Sequence, residues 1–311
     1  MKVGLCVKIV DDLTGYSRYN EEKYKKMYEH GFRAVDVSLG DTENKLYTEP
    51  FEKTKELLLH HKALMEDAGL EIFQTHGPWR WPCKDYTEED RAERLEKMQY
   101  GIRLTKVLGC KHFVIHPIMP FGVEDIEKGK AEETWALNLE FMRKLLVTAK
   151  EEDVIICLEN MPMLKFSLST PEQILKFVKE IDDEHFKICL DTGHVSVFYE
   201  LDIADEVRRL GDYIKVLHVH DNKWRIDCHM YPYFGRIDWE GFGKALKEIN
   251  YGGTLSLETL PPRAQPDELY EKSAVFCVIS EKIYVKICNE KTEPVYPARF
   301  LLKIVVFCSI I

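Results

Sequence analysis

Eight times before residue 275, a short run of apolar, often β-branched residues is followed by a longer charge-rich stretch with helical spacing of its apolar positions. The strand-type runs are 3–10, 34–39, 71–75, 112–116, 154–159, 187–191, 213–220 and 254–258. Helical candidates lie near 20–30, 51–68, 87–108, 131–151, 171–182, 202–210, 240–249 and 266–275. Strands this apolar cannot face water on either side, so the sheet is expected to be parallel and covered by helices. Eight βα units is the number that closes, which predicts one α/β domain, a (β/α)8 TIM barrel, over residues 1–275. Local signals agree: Ser169-Thr170-Pro171-Glu172 reads as a helix cap followed by a first-turn proline and acid. Gly31, Gly69, Gly109 and Gly211 stand where a helix must stop before the next strand. The competing architecture, a doubly wound open sheet, calls for a glycine-rich phosphate loop after a strand, and none is present.

Composition narrows the partners. A formal net charge of −10 provides no general field for a polyanion, which argues against nucleic acid and anionic membranes. The nine cysteines form no C-x-x-C pair, and several sit in strand-like runs, as expected of reduced, buried thiols in a cytoplasmic protein. The start, MKVGLCVKIVDD, reads as a first strand and not as a signal peptide. An oligomer is compatible with the sequence.

The segment 276–311 differs from the rest. It carries five Lys or Arg against three Glu, and three of the nine cysteines, where the body is acidic. Its final apolar run falls short of the about 20 residues a membrane span needs. The barrel's last helix is expected to extend into it; the remainder is an atypical tail, for which a shifted reading frame near 276 is one explanation.

In a closed barrel the chemistry belongs at the carboxyl ends of the strands. Six of the eight ends here are polar: Thr75-His76-Gly77-Pro78-Trp79, His116-Pro117, Glu159-Asn160-Met161-Pro162, Asp191-Thr192-Gly193-His194, His218 to Asp221, and Glu258-Thr259. Residues two apart on a strand share a face, so Cys157 with Glu159, Cys189 with Asp191 and Ser256 with Glu258 are expected to point inward. Glu159, Asp191, His218 and Glu258 would then meet on the barrel axis. Three carboxylates gathered there repel and lose hydration, and a divalent cation removes that penalty. Mixed carboxylate and imidazole donors suit Mn2+, Zn2+, Co2+ or Mg2+. Taken singly, each residue has a plainer reading: a strand-end His is commonly a hydrogen-bonded structural residue, and Asp-Thr-Gly can simply cap a helix. Five other histidines, His30, His60, His61, His112 and His185, are read as surface or helix-terminal. The loop from Val216 to Trp239 adds His220, Asp221, Asp227, His229 and Arg236.

Together, LEN, LDTGH, HVHDN and LET on successive strands resemble the xylose-isomerase-like barrel superfamily, which holds sugar isomerases and epimerases beside endonuclease IV-type apurinic enzymes. The resemblance implies that Glu159, Asp191, His218 and Glu258 ligate a core metal. The nuclease branch adds ligands that match His76, His116, His194, Asp227 and His229. His220 replaces an Asn of that branch, and YPYFGRID over 231–238 replaces its glycine-rich turn. H-x-H-D-N followed by G-x-I-D-W is instead similar to the sugar phosphate isomerase/epimerase relatives. The implied activity is isomerisation or epimerisation of a sugar or sugar phosphate through an enediolate. Glu159 and Glu258 would be the catalytic pair. His76, His116, His194, His220, Asp227 and His229 would serve a second metal or grip substrate. Trp79, Trp81 and Trp224 would offer apolar faces to a sugar, and Arg236, with Lys223 and Arg225, could receive a phosphate. The alternative is a zinc phosphodiesterase acting on abasic DNA.

Overall fold

The computed structural model of the chain describes residues 1–10, 17 and 19–259. The helix expected near 266–275, the segment 276–311 with its suspected frame shift, and Cys277, Cys288 and Cys308 lie outside the described residues.

Eight strands alternate with helices: β1 (Lys2–Lys8), α1 (Glu21–Glu29), β2 (Ala34–Ser38), α2 (Phe51–Asp67), β3 (Glu71–His76), α3 (Glu88–Val107), β4 (His112–Ile115), α4 (Ala131–Glu151), β5 (Ile155–Glu159), α5 (Pro171–Ile181), β6 (Phe186–Asp191), α6 (Thr192–Ser196), α7 (Ile203–Leu210), β7 (Ile214–His218), α8 (Trp239–Glu248) and β8 (Thr254–Leu257). All ladders are parallel, in the order β7-β6-β5-β4-β3-β2-β1-β8. The ring closes where Val219 bridges Leu257, with Val219 N donating to Ser256 O at 2.8 Å. Among the described residues no helix is long and apolar enough to cross a membrane.

The helices start and stop where the sequence says they should. Thr170 accepts from the Gln173 amide and Gln173 reaches back to the Thr170 amide, a capping box with Pro171 in the first turn. Thr87 and Asp90 do the same for α3. Gly69 and Gly109 follow α2 and α3 at φ of 81° and 73°, where a side chain would be strained.

Most of the apolar core lies between sheet and helices, with Leu58, Met65, Ile102, Leu145, Phe177 and Leu246 from the helices buried against the strands. A smaller group, Val114, Cys157, Cys189 and Val216, fills the barrel interior, with Phe73 and Ile155 against it. This small, apolar interior layer leaves a polar layer to form at the carboxyl ends of the strands.

Two register shifts set which residues belong to that layer. Opposite Val35 and Asp36 of β2, β3 presents Ile72 and then Gln74, so Phe73 is an extra residue. Ile72 packs in the outer core, while Phe73 reaches the inner group and Gln74 bonds inside the barrel. The bulge therefore turns Gln74 and His76 inward; strict alternation from Ile72 would have pointed both outward. In β7 the extra residue is Lys215, which in the same way brings Val216 and His218 inside.

Candidate metal centre and active site

His218 sits at the centre of the polar layer and is fully buried. Its Nδ1 lies 3.0 Å from Glu159 Oε1 at the end of β5 and 3.3 Å from Glu258 Oε2 just past β8. Its Nε2 lies 3.0 Å from Asp36 Oδ2 of β2. Asp191, ending β6, uses Oδ1 to accept the His194 amide at 2.6 Å, so it does cap a short helix, α6. The same carboxylate holds His220 Nε2 at 3.0 and 3.1 Å. Glu159, Asp191, His218 and Glu258 each offer one ligand atom, and these atoms all lie within 4.8 Å of one another. The expected quartet is thus brought together.

Two further groups flank it, and both consist of residues singled out from the sequence. His76, His116 and Glu159 form one; His194, His220, Asp227 and His229 form the other. Three of these imidazoles are aimed in the same way. His76 Nδ1 faces Gly77 O at 2.8 Å, His194 Nδ1 faces Asn160 O at 2.7 Å, and His229 Nδ1 faces Glu258 O at 2.7 Å. A carbonyl is the nearest acceptor to each Nδ1, with Glu159 and Asp191 standing farther from that of His194 at 3.5 and 3.7 Å, so each ring carries a proton there and turns Nε2 inward. Nε2 of His194 and of His229 lies 3.3 and 3.1 Å from Asp227 Oδ2. Nε2 of His76 and of His116 are 3.2 Å apart and face Glu159 Oε2 at 3.4 and 3.2 Å.

The electrostatics follow from this crowding. Burial opposes charge on His194 and His218, yet the surrounding acids outweigh it and raise both well above the usual imidazole range. His229 is raised to about 9, burial being overcome chiefly by Asp227 and Glu258. His76 is raised as well, against burial, by Glu159. His116 is lowered: burial dominates, and it shares Glu159 Oε2 with His76. Glu159 is held well below the usual carboxylate range, with burial opposing and His218 and His116 prevailing; Asp191 and Asp227 are lowered similarly by their imidazoles.

These residues fit a divalent cation. Glu159 Oε2 and Asp227 Oδ1 are buried and make no hydrogen bond among the described residues, although Oε2 lies 3.2 and 3.4 Å from Nε2 of His116 and His76 and Oδ1 3.7 Å from Nε2 of His220. Buried acceptors without donors are costly, and a cation among them would answer the carboxylate charge in place of the imidazole protons.

Other residues hold the donors. Asn160 pairs with both backbone groups of Asp191, at 2.8 and 3.1 Å. Thr192 Oγ1 donates to His220 O at 2.7 Å and accepts the His220 amide at 3.1 Å, so β7 ends at His218, short of the expected 220. Gly193 is required here: a Cβ on it would lie 1.9 Å from His220 Cε1. Asp221, grouped with the ligand-type residues in the sequence, has a different task. Its carboxylate accepts from the amides of Gly235, Arg236 and Ile237 and from Trp239 Nε1, at 2.9–3.3 Å, folding the loop back over the barrel mouth. A Cβ on Gly235 would lie 2.1 Å from Asp221 Oδ1, which accounts for the glycine of G-x-I-D-W.

The pattern of the xylose isomerase-like TIM barrel matches residues 24–277. The chain belongs to that family. It is 30% identical over 251 residues to a D-psicose 3-epimerase of Ruminiclostridium cellulolyticum, covering 78% of this chain and 82% of that one. To a D-psicose 3-epimerase of Enterocloster bolteae it is 28% identical over 237 residues, 73% and 72% of the two chains. The solved structure of a D-tagatose 3-epimerase-like protein superposes with a TM-score of 0.73 at 26% identity, over 94% of this chain and 99% of that one.

Several expectations for this xylose isomerase-like barrel change. His61 is not at the surface; it is buried in the middle of α2, bonded through Nδ1 to the Tyr24 hydroxyl at 3.0 Å, and burial pushes its pKa down to about 4. His112 is half-buried at the start of β4, facing Phe73 O at 2.9 Å. Of the described cysteines, Cys83, Cys110, Cys157 and Cys189 are buried, but Cys6 and Cys228 are only partly so; all six are free. On the rim, Trp224 is exposed and Trp79 half-buried. Arg236 donates to Ser196 O at 2.8 Å and lies over the Tyr199 ring, with Arg225 over the same ring. Asp36 was missed altogether. The available signal was a lone acid in the apolar strand AVDVS, on the inward face.

Proposed function

We propose that the chain is a divalent-metal-dependent epimerase that inverts the configuration at C3 of a ketose. The observation that carries this reading is the placement of two carboxylates, Glu159 and Glu258, on one histidine nitrogen at 3.0 and 3.3 Å. They arise from different strands, and their environments differ: the Glu159 side chain is 1% exposed and that of Glu258 23%. The resemblance to two D-psicose 3-epimerases supports the position of attack.

Glu159, Asp191, His218 and Glu258 would hold the cation. When bound, it supplies positive charge to two adjacent substrate oxygens, favouring loss of a carbon-bound proton and stabilising the resulting enediolate. Glu159 is kept ionised by its neighbours, as a base must be at neutral pH. One glutamate takes the C3 proton from one face of the sugar; the other delivers a proton to the opposite face. In the reverse direction they exchange roles. His76, His116, His194, His220, Asp227 and His229 hold substrate hydroxyls or a second cation, and the Trp79 and Trp224 rings cover the apolar face of the sugar. Because Arg236 is already engaged with Ser196 O and Tyr199, an unphosphorylated ketose is the better fit. The net charge of −10 counts against the abasic-DNA reading.

The test is incubation with Mn2+ and a panel of ketohexoses, ketopentoses and their phosphates, with chromatographic detection of C3 epimers. Epimers of a free ketose, abolished by chelator, are expected. Cleavage of abasic DNA without turnover of any ketose would overturn the proposal.

A further inference from the structure

The carboxylate of Asp36 lies inside the barrel at 0% exposure, on the far side of His218 from Glu159 and Glu258. Its Oδ2 collects three groups: His218 Nε2 at 3.0 Å, Gln74 Nε2 at 3.0 Å and the Ser256 hydroxyl at 3.4 Å. Its Oδ1 makes no hydrogen bond among the described residues. A buried acid with an unpaired oxygen is a poor device for stability, since apolar residues of similar volume generally do as well or better. The surroundings nonetheless keep it in place. The extra residue Phe73 in β3 is what brings Gln74 opposite Asp36, and Gln74 is fixed in turn by donating to Leu217 O at 3.2 Å.

We infer that Asp36 is the positioning residue of the metal centre: it holds the His218 ring through Nε2, so that Nδ1 faces Glu159 and Glu258 and, once its proton gives way to a cation, is the ligating nitrogen. The other aimed rings, His76, His194 and His229, are held through Nδ1 by backbone carbonyls and present Nε2. His218 is mounted the opposite way, and a carboxylate does for it what carbonyls do for them. A carboxylate partner also makes the imidazole a stronger donor to a cation than a carbonyl would. The inference rests on the metal-dependent reading above and concerns the same site.

The experiment uses the full chain, stripped with chelator, and titrates Mn2+ by calorimetry into wild type and Asp36→Asn, with urea unfolding of both stripped proteins. Asparagine keeps the size and can still accept from Nε2, but removes the charge. Weakening of Mn2+ binding by about tenfold or more, with an unfolding midpoint close to wild type, is expected. A purely structural role would lower the midpoint and leave the affinity of the folded protein unchanged, which overturns the inference. Nitrogen-15 NMR of the Zn2+-loaded wild type provides a check independent of any variant's folding. The His218 ring is expected to be protonated on Nε2, and protonation on Nδ1 overturns the inference. If wild type binds neither Mn2+ nor Zn2+, the metal-dependent reading fails first and this one with it; binding by wild type and Asp36→Asn alike removes only the role of Asp36.

Discussion

Raising the pH of the metal-stripped chain should destabilise it, and His229 sets the scale. The ring donates from Nδ1 to Glu258 O at 2.7 Å and meets Asp227 Oδ2 with Nε2 at 3.1 Å. With its side chain 19% exposed, burial opposes the charged form, yet the acids raise its pKa from 6.5 to about 9. A folded-state pKa above the unfolded value means stability that is fully present below 6.5 and lost as pH rises through about 9. At about 1.4 kcal/mol per pH unit, the loss over that interval comes to about 3 kcal/mol. His76, His194 and His218 are raised in the same direction and add to it. Asp227 is lowered against burial first by His194 and then by His229, which is the other side of these same pairings and contributes nothing separate. Urea unfolding of chelator-treated protein at pH 6.5, 7.5 and 9, at constant salt, measures the effect. His229→Asn should flatten the profile by about 3 kcal/mol across the interval. Equal stability of the stripped wild type at pH 6.5 and 9, or an unchanged slope in His229→Asn, would refute the reasoning. Mn2+ affinity should move the other way and rise over the same interval, because the ligating imidazoles must be neutral.

Three further outcomes follow from the packing around the site. Gly193→Ala places a methyl 1.9 Å from His220 Cε1, so urea unfolding should show a loss of about 1–3 kcal/mol, and His220 should no longer hold Asp191. Asp221→Ala strands the amides of Asn222, Gly235 and Ile237 and the Trp239 indole, leaving the Arg236 amide with Asn222 O alone; a loss of about 3–5 kcal/mol and faster proteolysis between residues 222 and 238 are expected. Thr170→Ala removes one side of the α5 capping box and should cost about 1 kcal/mol without altering Mn2+ affinity, which calorimetry would check.

The barrel was legible because its code is local. Apolar runs repeat eight times with helical stretches between them, and the observed helix ends fall within a residue or two of those expected for α1 to α5, α7 and α8. The quartet was legible because parallel strands in a closed barrel converge, so polar residues at successive strand ends must meet. What escaped depends on long-range pairing. The bulges at Phe73 and Lys215 invert the facing of β3 and β7, and simple alternation cannot reveal them. His220 stands two residues after His218 and reads as a second-metal or substrate residue, but that it turns to Asp191, its backbone gripped by Thr192, could not be read from the spacing. Asp221 and Asp36 are both lone acids, and only their partners separate a loop anchor from a histidine support. The α6 turn follows from Asp191 capping it, a role the sequence offered only as an alternative to metal binding.

The central claim, proton transfer at C3 by Glu159 and Glu258 beside a bound cation, is tested most directly in heavy water. The Mn2+-loaded chain, given a ketose that it turns over, should place solvent deuterium at C3 of the product epimer. Glu159→Gln and Glu258→Gln should each abolish that product, with Mn2+ binding followed in parallel by calorimetry. An epimer formed without solvent deuterium at C3, or turnover retained in both variants, would contradict the account.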